Sequence, residues 1–300
     1  MKEPLDSAAD PAAHRHAAAA FTLVDLLAVL SVLAIGVALL TPALARTQPN
    51  SKTFQCLNNC HQLSRAWLMY ADDNSDKMAL ALQGGQAQGG AGALSGTIPW
   101  ASGWEDWTTS RDNTNTSLLA SERYASLARY ISGNAGVFKC PADTWLSATQ
   151  QAAGYTARCR SVSGNIGLGE GNAETGPWDA TTYRHLKTLA DLRFPSPSGT
   201  WVFLDENPDS INDPAFFSPR VDSWNDYPAT YHSGATSFAF ADGHAELHKW
   251  KASMSNKAYQ GAPIWQETRP GPAASATDVD IGWMRYHGGR SSDNVPNLVP

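Results

Sequence analysis

From Phe21 to Ala45 the chain is apolar except for one ionisable side chain, Asp25, and this run constrains the fold more than any other feature. A helix of about 20 apolar residues crosses a hydrocarbon core of about 30 Å. A carboxylate in such a helix costs about 2.5–3.5 kcal/mol at its centre on insertion scales, so it usually has a partner and a task. Pro42 lies near the far end of the run and removes one backbone donor, which predicts a kink or a locally melted turn.

The 20 residues before the run carry Lys2, Glu3, Asp6, Asp10 and Arg15 and contain no apolar stretch. An ordinary secretory signal loses its apolar region on processing. Three hundred residues with 42% hydrophobic content suffice for a sizeable exported core. The net charge of −6 offers no basic footprint for nucleic acid, which is discounted as a partner.

The order Phe21-Thr22-Leu23-x-Asp25-Leu26 after a small residue resembles the processing site of type IV prepilins and pseudopilins. The family usually has glycine before the cut and glutamate at the acidic position; here Ala20 and Asp25 stand in their places. The resemblance implies cleavage between Ala20 and Phe21 by a prepilin peptidase, with methylation of the new amino terminus. It also gives Asp25 a role in assembly: the free amine of a neighbouring subunit's Phe21 would pair with it away from water and set the axial register. An unpaired buried charge would be costly. Pro42 falls where the family tends to carry a proline.

Cys56, Cys60, Cys140 and Cys159 all follow the apolar run, and export would permit disulfides among them. Four cysteines allow three pairings, and the spacing selects none. Cys56 and Cys60 are one helical turn apart, so each can pair instead with Cys140 or Cys159. A zinc site on Cys56-x-x-x-Cys60 is the alternative, although no second closely spaced pair follows.

Beyond the break at Gln48-Pro49-Asn50-Ser51, apolar residues recur at helical steps: Phe54, Leu57, Cys60, Leu63 or Ser64, Trp67 and Tyr70. This predicts that the first helix continues, across Pro42, into an amphipathic half that ends near Asp73. Gln83 to Gly96 reads as a loop, Ser121 to Tyr130 as a short helix and Thr200 to Leu204 as a buried strand. Asp242-Gly243 lies between two alternating runs, a hairpin signal of the type I′ kind.

His232, nine residues, then Asp242-Gly243 resembles the C-terminal signature of a large prepilin-type family. The stretches Cys56-Leu57-Asn58-Asn59, Phe138-Lys139-Cys140-Pro141 and Ser161-Val162-Ser163-Gly164-Asn165 resemble that family too. So do the stretch from Asp205 to Asp213 and Asp280-Ile281-Gly282-Trp283-Met284. If His232 and Asp242 share neighbouring strands, the imidazole can bond the turn carboxylate and lock the hairpin. A zinc site from His232, Asp242, His244 and His248 is the alternative, since alternation aligns His244, Glu246 and His248 on one strand face.

Asp205-x-Asn207-x-Asp209 imitates the first ligands of a calcium loop, but the following glycine and the glutamate at position twelve are missing. Calcium is the ion this pattern offers, and no other cofactor is expected. No nucleophile elbow, zinc-protease motif or phosphate loop is present in the sequence, so the chain is not expected to be an enzyme. Trp100, Trp104 and Trp107 cluster in a predicted loop, where packing competes with glycan binding.

Together these readings imply an α+β, pilin-like chain: a long N-terminal helix packed on an antiparallel sheet with long loops. The expected organisation is a leader at 1–20, a transmembrane or filament-core helix at 21–46, the amphipathic half of the stem at 47–76 and a β-rich head at 77–300. The implied function is that of a structural subunit of a type IV pilus-like or type II secretion-like filament. Its partners would be itself or other pilin-like subunits, the prepilin peptidase and methyltransferase, and the inner membrane. The chain would cross that membrane once with its C-terminal part exported, and reach a periplasmic or cell-surface filament. The competing reading is an anchored, exported binding protein that does not polymerise, for polysaccharide or surface adhesion.

Overall fold

The computed structural model describes residues 23–46, 51–170, 185–219, 224–252, 254, 259 and 278–289, and it divides into units at Met1–Gln48 and Pro49–Pro300. Ala20 and Phe21, the expected processing pair, lie outside the described residues.

The first unit contains helix α1, Leu23–Arg46, which extends past Pro42. Asp25 lies in its first turn, where the helix dipole favours a carboxylate. Its side chains are described as far as Gly36, and among the described residues no helix is long and apolar enough to cross a membrane. The described apolar side chains are exposed around the whole helix; Leu23, Val24, Val32 and Ile35 each show more than 60% of their surface. A helix that is apolar on every side is usually buried in its working state.

The second unit is a mixed α/β fold. It begins with α2, Lys52–Asp73, whose N-cap Ser51 is extended (φ −68°, ψ 141°) and accepts the Phe54 N–H at 3.1 Å. The expected amphipathic half is a helix with its own cap, because the Ser51 hydroxyl satisfies a first-turn donor; residues 47–50, across which the first helix is expected to continue, lie outside the described residues. The buried face of α2 is Cys56, Cys60, Leu63, Ser64, Ala66, Trp67 and Ala71. It is rotated from the expected stripe at its start, where Phe54 is exposed and Cys56 takes the inward position.

Among the described residues five strands form one sheet in the order β3-β1-β2-β4-β5: β1 Val162–Asn165, β2 Trp201–Asp205, β3 Ala215–Phe216, β4 Ala235–Phe240 and β5 Ala245–Lys249. The sheet is mixed, which corrects the all-antiparallel expectation. β1 pairs antiparallel with β2 but parallel with β3, because the segment after β2 carries the chain round to enter beside β1 in the same direction. The hairpin around Asp242-Gly243 is present, with Ala239 opposite Ala245 and Ala235 opposite Lys249. Its turn is not type I′, since Gly243 has positive φ (97°) and Asp242 does not.

Both faces of the central strands are covered. Alternation along β4 sends Phe238 and Phe240 to one face and the smaller Ser237 and Ala239 to the other. The aromatic face packs with Trp201 of β2, Phe216 of β3, Trp250 just after β5, and Ile281 and Met284 of the helix Val279–His287. The other face packs under α2, and its small residues let the helix approach until Ser64 Oγ donates to the Phe240 carbonyl at 2.6 Å. The predicted helix at Ser121–Tyr130 is replaced by turns flanked by short helical segments, Ser117–Ala120 and Ala128–Ile131. The stretch Gln83 to Gly96 holds two single 3₁₀ turns and a four-residue helix, Ala91–Leu94.

Candidate metal centre

Four side chains from four separate segments meet where the start of α2 lies against the sheet. Cys56 comes from the second turn of α2 and Asp205 from the last position of β2. Cys140 follows the short helical segment Ala135–Phe138, which Asn134 caps through the Gly136 N–H. His232 sits in the turn before β4, a turn made by positive φ at Ser233 and Gly234. One sulfur, oxygen or nitrogen atom from each of the four lies within 4.8 Å of all the others. Cys56 Sγ is 2.7 Å from Asp205 Oδ2, and Cys140 Sγ is 3.5 Å from His232 Nε2.

Neighbouring groups aim these atoms. Thr53 Oγ1 holds His232 Nδ1 at 3.1 Å, so Nε2 faces the cysteine. Ser161 Oγ donates to Asp205 Oδ1 at 3.1 Å and accepts the Cys140 N–H at 2.7 Å. The Ala142 N–H points at Cys140 Sγ from 3.4 Å. Asn59 of α2 donates to the Lys139 carbonyl at 3.0 Å and so fastens the Cys140 segment to the helix.

The electrostatics oppose isolated anions here. Burial pushes the Cys56 thiol well up, and burial lifts the Asp205 carboxyl to about 6 against hydrogen bonds from Cys56 and Ser161. The Cys140 thiol is raised by its hydrogen bond with Cys56 and by burial, while burial holds His232 below the usual imidazole range. Buried protonated thiols are poor nucleophiles, so the arrangement does not suit covalent catalysis. Two sulfurs, one carboxylate oxygen and one neutral imidazole nitrogen are instead a donor set suited to a borderline-soft cation.

The residues singled out in sequence meet in combinations that the sequence did not suggest. His232 and Asp242 do not pair: they lie on opposite flanks of β4, His232 with Thr53 and Cys140, and Asp242 with His244 at 2.5 Å. Nine intervening residues span the strand and separate the two side chains. Gly243 contributes its carbonyl to His61 Nδ1 at 2.9 Å, a second tie between α2 and β4. His248 stacks on Trp283 at 3.7 Å and takes no part in the cluster.

In the expected calcium pattern Asp205, Asn207, Asp209, the first two side chains have other partners. Asp205 turns to Cys56 and Ser161, and Asn207 Oδ1 folds back to accept the Asp209 N–H at 2.9 Å. All four cysteines are thiols. Cys56, Cys60 and Cys140 are neighbours, whereas Cys159 lies apart, beside the Asp112 carbonyl at 3.3 Å and Glu105 Oε1 at 3.5 Å.

The Trp100, Trp104 and Trp107 cluster is not an open stacking platform. Trp100 is buried against Phe138 and Phe203, and the Arg158 guanidinium covers the Trp107 ring at 4.6 Å. Thr53 and Ser161, which orient the metal-type ligands, carry no sequence signal of that role, because a single hydroxyl becomes an orienting group only through the fold. Comparison of the chain with family models, curated proteins and solved structures finds no match.

Proposed function

We propose that the chain is a structural subunit of a membrane-associated filament of the pilin or pseudopilin kind. The observation that carries this reading is α1: its described side chains are apolar on all sides and exposed, with Asp25 in the first turn. Such a helix gains a stable environment in a bilayer or in a bundle of like helices, and the filament supplies both in succession. In the bundle, Asp25 meets the α-amino group of a neighbouring subunit's Phe21. The second unit is then the folded head that each subunit carries outward. The sequence resemblance at Phe21 to Leu26 supports the same reading.

The test is Asp25→Ala in the full chain. Cells expressing it should keep the protein in the membrane fraction yet shed no filaments on shearing, whereas the unaltered chain sheds them. Filaments in normal number from the variant would instead favour the anchored, non-polymerising binding protein.

A further inference from the structure

We propose that Cys56, Cys140, Asp205 and His232 form a closed, four-coordinate zinc site that fastens α2 to the sheet. All four ligands belong to the second unit, so the site stands whether or not the chain polymerises.

The ligand types are the first argument. Cysteine, histidine and aspartate are the donors that tetrahedral zinc uses, at about 2.3 Å for sulfur and about 2.0–2.2 Å for nitrogen and oxygen. Those lengths place neighbouring donors roughly 3.3–3.8 Å apart. Here the donor atoms already lie within 4.8 Å of one another, and two of the pairs stand at 2.7 and 3.5 Å. A central ion requires only small shifts in four side chains.

The orienting groups are the second argument. In zinc sites the non-ligating histidine nitrogen and the second carboxylate oxygen are held by outer partners. Thr53 holds His232 Nδ1 and leaves Nε2 for the metal; Ser161 holds Asp205 Oδ1 and leaves Oδ2. The Ala142 N–H at 3.4 Å is placed to support the charge of a coordinated Cys140 sulfur.

The donor count selects the ion and its role. Calcium takes six to eight oxygens and magnesium an octahedral oxygen set, and this cluster offers one carboxylate among two sulfurs and an imidazole. Four protein donors leave no open position, and three of the four ligand residues are buried, so the role is structural. On binding, each cysteine sulfur forms a bond to zinc and releases its proton to solvent; no electron moves. Cys56 lies on α2, Cys140 on the segment between α2 and β1, Asp205 at the end of β2 and His232 in the turn before β4, so one ion ties α2 to segments far along the chain, Asp205 alone being 149 positions from Cys56.

The experiment uses the full chain in detergent, reduced and stripped of metal, then titrated separately with Zn²⁺ and Co²⁺. One zinc per chain should bind, and cobalt should give sulfur-to-metal charge transfer with the strong visible bands of tetrahedral geometry. Thr53→Val should weaken zinc binding by about 10–100-fold, the usual outer-partner effect. Cys140→Ser and His232→Ala should weaken it further, and Cys159→Ser should leave it unchanged. Failure of the reduced chain to bind either ion stoichiometrically overturns the proposal. So does a cobalt spectrum without sulfur charge transfer, which decides the matter even if Cys140→Ser does not fold. A Cys56–Cys140 disulfide in the isolated protein, with no metal uptake after reduction, also overturns it.

Discussion

The Cys56 thiol on α2 and the Asp205 carboxylate at the end of β2 meet at 2.7 Å, although 149 residues separate them. Asp205 also accepts from Ser161 at 3.1 Å and is fully buried. Asp205→Ala leaves both donors without an acceptor and should cost about 2–4 kcal/mol of stability. Asp242→Ala, at an exposed turn, should cost less than about 1 kcal/mol. Urea unfolding of both variants measures the contrast; equal losses would restore weight to a His232–Asp242 lock.

Ser51 begins α2 by accepting the Phe54 N–H at 3.1 Å. Ser51→Ala should therefore destabilise the second unit by about 1 kcal/mol, the usual value of an N-cap hydroxyl. Thermal unfolding followed by circular dichroism should show a fall of roughly 2–4 °C. An unchanged midpoint would mean that the helix start is set by packing alone.

Gly164 lets β1 pass beneath Trp100. A Cβ at that position would stand 2.7 Å from Trp100 Nε1 and 3.4 Å from Phe203 Cε1. Trp100 cannot yield easily, because it packs on Phe138 and Phe203 and donates to the Pro214 carbonyl at 3.2 Å. Gly164→Ala should cost about 1–3 kcal/mol through this crowding. Near-ultraviolet circular dichroism should register the displaced indole, and a silent substitution would contradict the packing described.

His248 stacks on Trp283, and its pKa is lowered to about 4 by burial and then by the positive charges of His287 and Lys251. A base whose folded pKa lies below its unfolded value adds stability above the unfolded value, near 6.5, and loses it as pH falls through the folded one. The second unit should therefore weaken between about pH 6.5 and 4, by about 1–2 kcal/mol from this residue after discounting for its part exposure. His248→Phe keeps an aromatic ring on Trp283 and should flatten that part of the pH profile. A profile identical to that of the unaltered chain would assign the slope elsewhere.

The elements with local causes were legible in the sequence. The periodicity from Cys60 to Trp67 marks α2, the run Thr200 to Leu204 marks β2, and the alternating residues about Asp242-Gly243 mark the β4–β5 hairpin. Non-local pairing was not legible. Nothing near Ala215 tells it to lie parallel to Gly164, and that pairing is what makes the sheet mixed. The cluster was hidden for the same reason. Each of its four residues draws notice alone, the cysteines for disulfides, Asp205 for calcium and His232 for a hairpin. The fold takes one or two from each set and discards their sequence neighbours. The break before α2 is legible at Gln48-Pro49-Asn50-Ser51, but the capping role of Ser51 is not, because a hydroxyl becomes a cap only once the turn after it is folded.

The proposed function requires that α1 enter a filament as the first helix of a processed chain. Mass spectrometry of the N-terminal peptide, taken from sheared surface filaments that contain this chain, tests that directly. The account predicts a mature chain that begins at Phe21, with or without a methyl group on its amine. Filaments lacking this chain, or a chain that still begins at Met1 in the assembled fraction, would contradict it.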